Sequence, residues 1–142
     1  MWYLSCVEWE PTRTGLRHRY HLKHATSSNG IDWIRRGLTC IDFRDPTEYA
    51  ISRPSVILDR NLYRMWYSFR GDSYRIGYAE SHDGLEWVRK DDEVGIDVSL
   101  DGWDSQMIEY PCVFDCGGER YMLYNGNGYG LTGIGLAILE QD

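Results

Sequence analysis

The sequence predicts an all-β fold, a β-propeller of four-stranded antiparallel blades of which about two and a half to three are present. Residues 20–35 can be laid on residues 74–89 without a gap, at an offset of 54. A second overlay, at an offset of 57, places residues 54–67 on residues 111–124 and gives a third copy. Such a long period indicates units that bury their apolar faces by stacking on one another. The identical pairs of the first overlay are Tyr20/Tyr74, Ala25/Ala79, Ser27/Ser81, Gly30/Gly84, Trp33/Trp87 and Arg35/Arg89.

Each unit is predicted to hold four short strands, which residues 53–58, 62–69, 74–81 and 86–90 exemplify. Turn-forming residues separate these segments, as at Asp59-Arg-Asn61 and Gly71-Asp-Ser73. The predicted units span residues 1–37, 48–91 and 104–142, and the first and third of them are incomplete.

Asn29-Gly30 and Asp83-Gly84, each between apolar alternating segments, predict hairpins with type I′ turns. Residues 62–67 are apolar on both parities, which predicts a strand that is covered on both faces. Aromatic residues that recur at one position of the unit are expected in the core, namely Trp33, Trp87, Tyr3, Tyr67 and Tyr124.

These units are too few to close a ring, since a propeller needs about four to eight blades. We expect the rest to come from a missing N-terminal half, and the alternatives are a partner polypeptide or a homodimer of two three-bladed halves. The strand edges at residues 1–7 and 133–139 would then be uncovered, and we expect the isolated chain to self-associate through them.

Composition argues against several classes of function. The net charge of −7 is spread along the chain, which disfavours a nucleic-acid partner. No apolar segment reaches the ~20 residues of a membrane helix and the first residues lack a signal-peptide pattern, so we expect a cytoplasmic protein without a membrane partner. Neither the cysteines, expected to be buried free thiols, nor the histidines show metal-ligand spacing, and we predict no metal and no cofactor.

The first strand of each propeller blade lines the central channel, and two such strands are preceded by acidic residues and begin at a proline. Glu48 precedes Arg53-Pro54, whereas Asp104 and Glu109 precede Pro111. Proline is tolerated at the first residue of a strand, because no ladder hydrogen bond is donated there. A guanidinium in a buried channel must be paired, so Arg53 is expected to bind a carboxylate, a sugar hydroxyl or a neighbouring acid of the channel.

The chain resembles the five-bladed β-propeller glycosidases, the superfamily of arabinanases, β-xylosidases, invertases and mannoside phosphorylases, and matches the C-terminal half of such a propeller. The resemblance covers essentially the whole chain. Phe43-Arg-Asp-Pro46 is similar to the invertase Arg-Asp-Pro motif, although the overlay places Asp45 in a connecting loop. The segments that carry the resemblance are Arg53-Pro-Ser-Val, Tyr63-Arg-Met-Trp-Tyr-Ser68, residues 74–81, residues 83–87 and Glu109-x-Pro111.

The resemblance implies a central pocket for one or two sugar rings, with acidic residues as nucleophile or base and as general acid. Glu109, in the Glu-x-Pro motif, is the expected proton donor, with a pKa raised by a partly desolvated pocket. Asp104 and Glu48 are the candidates for the second acid, and their alternative is a solvated loop carboxylate. The residues expected to bind the substrate or to rim the pocket are Arg53, Tyr110, Trp103, Tyr49, Asn125 and Tyr129.

The predicted function is that of a carbohydrate-active protein similar to glycoside hydrolases, either a glycosidase or a glycoside phosphorylase. As a single chain it is expected to be catalytically incomplete. The alternative is a non-catalytic propeller module that binds a sugar or a protein partner.

Overall fold

The computed structural model describes residues 1–140 and consists mostly of β-strands. Within these residues, neither of the two short helical turns, Asp91–Glu93 and Asn127–Gly130, has the length or apolar character to cross a membrane. The strands are β1 (Trp2–Thr12), β2 (Gly15–Thr26), β3 (Ile34–Ile41), β4 (Ala50–Asp59), β5 (Leu62–Arg70), β6 (Tyr74–Ser81), β7 (Val88–Arg89), β8 (Glu109–Cys116), β9 (Glu119–Asn125) and β10 (Ile134–Ile138).

The strands form a seven-stranded and a three-stranded sheet. In the larger sheet the order is β1-β2-β4-β5-β6-β7, with β3 also paired to β2, and in the smaller one it is β10-β9-β8. All pairings are antiparallel except the contact of β2 with β4, a single parallel bridge between Tyr20 and Ala50. This bridge joins the predicted first and second units at one edge. The predicted fourth strand of the second unit is reduced to two residues, Val88–Arg89.

The core lies on both faces of the middle strand β5. Met65, Trp66, Tyr67 and Ser68 are all buried, as expected of a strand that is apolar on both parities. One cluster joins β5 to the first unit and consists of Leu22, Ile41, Ile51, Met65, Tyr67 and Ala79. The other joins β5 to the smaller sheet and consists of Trp66, Ile76, Tyr78, Ile108, Val113 and Met122.

The predicted type I′ turns are wrong. Seven residues lie between β2 and β3, and of the pair Asn29-Gly30 only Gly30 has a positive φ. The Ser27 hydroxyl accepts hydrogen bonds from the amides of residues 29 and 30, and the Asn29 side-chain oxygen accepts from the amides of residues 31 and 32. The same bonds recur in residues 81–87. The repeated serine and Asn/Asp residues therefore shape a longer loop, because their side chains replace backbone partners.

The expected burial of two residue groups also requires correction. Trp87 is half-buried and contacts Trp2, but Trp33, its repeat partner, is 38% exposed because no equivalent of Trp2 lies over it. The four cysteines are free thiols as expected, yet only Cys40 is buried. The others lie at exposed positions of sheet-edge strands, Cys6 on β1 and Cys112 and Cys116 on β8.

Candidate functional site

Glu109 lies on a β-bulge that occurs twice in the molecule. In β8 the register with β9 shifts between Glu109 and Cys112, and in β4 the register with β5 shifts between Ser52 and Ser55. The offset of 57 places Ser52 on Glu109. A bulge bends its strand and redirects a side chain. The two units therefore present a serine and a glutamate from equivalent positions.

The residue after each of these two positions has a strained backbone. Arg53 has a φ of 52° and Tyr110 a φ of 57°, in the left-handed region that non-glycine residues rarely adopt. Each precedes a proline, and the amide of Tyr110 donates a hydrogen bond to the Ser68 hydroxyl at 2.7 Å. Such strain costs about 1–3 kcal/mol per residue and clusters at functional sites. It marks the two bulges as candidate positions for function.

Glu109 is fully buried, and neither of its carboxylate oxygens has a hydrogen-bond partner among residues 1–140. Burial raises the pKa of Glu109 to about 7, against the opposing positive charges of Arg70 and Arg53. A buried acid with this pKa is close to half protonated at neutral pH. An acid with a pKa near neutrality is suited to donate a proton as well as to accept one.

Tyrosines from three predicted units meet beside this strand. The hydroxyls of Tyr20 and Tyr74 lie 2.6 Å apart, and the Tyr74 ring contacts the rings of Tyr110 and Tyr129 edge-on, each at 6.0 Å between centroids. Tyr129 also has a left-handed backbone, with a φ of 63°. Flat rings of this kind can cover the apolar face of a sugar, while their hydroxyls remain available for hydrogen bonds.

Two arginines complete the cluster. The Arg70 guanidinium donates to the Tyr129 hydroxyl at 2.8 Å, and its central carbon lies 5.1 Å from the Tyr74 ring and 5.6 Å from the Tyr49 ring. Arg53 was expected in a buried channel, but it is exposed, and its guanidinium lies 5.1 Å from the Tyr110 ring. Four predicted binding residues thus lie in one cluster, since Tyr49 and Tyr129 contact Arg70, Arg53 contacts Tyr110, and the rings of Tyr110 and Tyr129 are 6.4 Å apart.

Glu48 lies elsewhere, in a buried ion-pair network. Its carboxylate accepts two hydrogen bonds from Arg89, at 2.8 and 3.0 Å, and one from the amide of Arg44. Arg89 also pairs with Asp91, which in turn accepts a hydrogen bond from the Tyr67 hydroxyl. The carboxylate of Glu48 is therefore held by its neighbours, in contrast to that of Glu109.

Asp104 is buried beside Tyr124, whose hydroxyl donates to it at 3.1 Å. Successive residues of a strand point to opposite faces, so Asn125, the register partner of Glu109, faces away from Tyr124. Asp104 thus belongs to the Tyr124 face of β9. The Trp103 ring stacks on Tyr124 there, whereas the side-chain amide of Asn125 donates to the Tyr129 carbonyl.

Three residues of this site were not predicted from the sequence, namely Arg70, Tyr20 and Tyr74. The recurrence of the two tyrosines at the offset of 54 was a signal, but it also fits a purely architectural role. No feature of the sequence distinguishes Arg70 from the other arginines. Asp45 lies in the loop before β4, as the overlay predicted. Residues 1–140 contain no cluster of three or more histidine, cysteine or acidic side chains that could hold a metal ion.

No protein-family model matches the chain. Comparison with curated proteins finds two relatives that are longer than this chain. The uncharacterized proteins MT1551 and Rv1502 of Mycobacterium tuberculosis are each 47% identical over 141 residues. The match covers 99% of this chain but 46% of either relative. The chain therefore spans about half the length of the curated relatives it matches.

Solved structures with a similar fold include glycoside hydrolases. The Bombyx mori GH32 beta-fructofuranosidase BmSUC1 has a TM-score of 0.68 at 18% identity, over 99% of this chain and 31% of the enzyme. Zg3597, a family 117 glycoside hydrolase of Zobellia galactanivorans, has a TM-score of 0.68 at 20% identity, over 87% of this chain and 39% of its own. At these identities the likeness concerns the fold alone. The chain has a glycoside-hydrolase-type β fold over the part that it shares with these enzymes.

Proposed function

We propose that the chain is part of a β-propeller that acts on carbohydrates, and that Glu109 is its proton donor to a glycosidic oxygen. The observation that carries this proposal is a buried carboxyl without a hydrogen-bond partner, on a strained bulge and beside a tyrosine cluster. A buried acid without a hydrogen-bond partner costs stability, and such a group is more often found at a functional site than in a purely structural position.

The division into blades is supported by a contact between the first and the second unit. The Trp2 indole donates to the carbonyl of Gly84 at 2.8 Å and packs edge-on against Trp87, so the first unit caps the hairpin loop of the second. The repeat partner of that loop, with Trp33, lacks such a cap within residues 1–140. We infer about three consecutive blades of a five-bladed ring, with a further blade preceding the first.

Glycoside hydrolysis needs two carboxylates, about 5–5.5 Å apart in retaining enzymes and about 6.5–9.5 Å apart in inverting ones. Glu109 supplies one of them in this proposal. The charged side chains that act on it are Arg70 and Arg53, and we propose that the second acid comes from the part of the ring outside this chain. Glu48 then has a structural role, because Arg89 binds both of its oxygens. Tyr124 binds one oxygen of Asp104, whereas the other is buried without a hydrogen-bond partner among residues 1–140.

The test compares leaving groups that differ in their need for a proton. Wild type and Glu109→Gln are each assayed on phenyl and 2,4-dinitrophenyl glycosides. Each protein is assayed alone and after co-expression with the part of Rv1502 that lies outside the match. Loss of a general acid should reduce turnover of the phenyl glycoside by about 10²–10⁴-fold. The dinitrophenyl glycoside should be affected much less, since its leaving group departs without protonation. Unchanged turnover of the phenyl glycoside in the variant would contradict the proposal.

A non-catalytic carbohydrate-binding module is the second candidate. It is favoured by the charges around Glu109, since two arginines and no second carboxylate act on it within the described residues. A module of this kind should bind sugars with or without Glu109→Gln and should hydrolyse neither aryl glycoside. Binding measured by calorimetry, beside the same assays, separates the two candidates.

A further inference from the structure

Arg70 is an exception among the arginines of this chain. Every other arginine with a partly buried side chain, in the part of the chain that the structure describes, makes an ion pair with an acid within 4.0 Å. These arginines are Arg17, Arg19, Arg64, Arg75, Arg89 and Arg120. Arg70 has no such partner in residues 1–140, and its Nε is buried without a hydrogen bond. The side chain as a whole is partly buried, but the desolvation of its Nε is not offset by an anion or another acceptor and is therefore unfavourable.

The neighbours of Arg70 leave its charge uncompensated. Its hydrogen bond goes to the neutral hydroxyl of Tyr129, and its flanking rings belong to Tyr49 and Tyr74. Burial raises the pKa of both Tyr49 and Tyr74 above the ordinary value for tyrosine. These phenols therefore remain uncharged at neutral pH and supply no negative charge to Arg70.

Glu109 does not compensate the charge of Arg70 by a hydrogen-bonded ion pair either. Both of its oxygens lack hydrogen-bond partners, although Arg70 and Arg53 lie close enough to act on its charge. Two permanent positive charges thus stand beside one acid that is partly protonated at neutral pH. This local excess is opposite in sign to the net charge of −7 of the whole chain. A positive cluster in an acidic protein attracts anions to that place.

We propose that the ligand bound beside Glu109 carries a carboxylate or phosphate group, and that Arg70 and Arg53 bind this group. The planar guanidinium fork matches both oxyanions, which accept two parallel hydrogen bonds from it. Arg53 is exposed and lies over Tyr110, so it can approach a ligand from the solvent side. This inference rests on the proposed function only in taking the ligand to be a carbohydrate. The anion is either an acidic group of the sugar or free phosphate.

The test measures binding of D-glucuronate, D-glucose and inorganic phosphate to the 142-residue chain by calorimetry. The first two probes differ only in the carboxylate. We expect glucuronate to bind at least about tenfold more tightly than glucose, and the preference to shrink as salt screens the charges. Arg70→Met should abolish the preference and Arg53→Met should reduce it. Arg36→Met, at an exposed arginine outside the cluster, should leave it unchanged.

The titrations of phosphate and of the two sugars distinguish the two sources of the anion. Phosphate that binds together with glucose identifies free phosphate as the anion, whereas preference for glucuronate without phosphate binding identifies an acidic sugar. Equal affinities for glucuronate and glucose without phosphate binding, no binding of either anion, or an Arg70→Met variant that retains the preference would overturn the inference. Thermal unfolding of each variant checks that it is folded. If Arg70→Met is unfolded, the test relies on Arg53→Met. The aryl-glycoside assays of Glu109→Gln decide the proposed function independently of these results.

Discussion

The wild-type protein is expected to lose stability as the pH rises and Glu109 ionises, and replacing Glu109 by glutamine should remove this loss. Burial gives this carboxyl a pKa of about 7 in the folded chain, against an ordinary value of 4.5. The folded state therefore binds more protons than the unfolded state between these values. The stability that the group contributes is complete below pH 4.5 and is lost as the pH rises through about 7. At 1.36 kcal/mol per pKa unit, the full loss is about 3 kcal/mol, of which about 2 kcal/mol falls between pH 5.5 and 8.5.

The assay is urea unfolding of wild type and Glu109→Gln from pH 5.5 to 8.5, with the difference in unfolding free energy plotted against pH. Glu109→Gln should gain about 2 kcal/mol relative to wild type across this range. His24, whose pKa is lowered by burial, acts in the opposite direction but cancels in the difference. Glu86→Gln, at an exposed position of the hairpin loop, is the matched control and should give a flat difference. A flat difference for Glu109→Gln as well would refute the burial argument.

Three further tests of the architecture use chemical denaturation. Trp87→Phe and Trp33→Phe each remove one hydrogen bond from the indole to a glycine carbonyl, and Trp87 in addition packs against the core. Trp87→Phe should therefore cost about 1–2 kcal/mol and Trp33→Phe, at the exposed repeat position, less than about 0.5 kcal/mol. Equal costs would contradict the contact between the first two units. Glu48→Gln should cost about 3 kcal/mol by weakening the buried pair with Arg89, and a change below about 0.5 kcal/mol would argue against the structural role of Glu48. Gly77→Ala places a Cβ 2.6 Å from a tyrosine ring and should cost about 1–3 kcal/mol, so an unchanged unfolding midpoint would contradict this packing.

The repeat made much of the fold predictable. The overlay at an offset of 57 pairs Ser52 with Glu109, and the structure gives both the same bulge and the same left-handed residue after it. Strand positions followed from alternation and from turn residues, which act locally. The turn type did not follow, because the Ser27 and Asn29 side chains compete with the backbone for its amides. Local dipeptide preference could not anticipate those bonds.

The site was less predictable because its partners are distant in sequence. Glu109 could be singled out because it stands two residues before a proline and resembles the Glu-x-Pro motif of the propeller glycosidases. The ion pair of Glu48, in contrast, joins it to a residue 41 positions away. Arg70 meets Tyr129 over a separation of 59 residues. A single sequence contains no measure of such proximity. The same limit explains Trp33, since its exposure depends on whether another unit lies over it.

The repeated bulge separates the choice of chemistry from the maintenance of the fold. Its shape is set by a left-handed residue, a proline and the register of two strands, none of which involves the side chain at position 52 or 109. One unit carries a hydroxyl there and another a carboxyl, on the same backbone. Exchanging a single residue can thus add or remove an acid at this point of a unit while every strand keeps its partners. A family built on such units can diversify its reactions one position at a time.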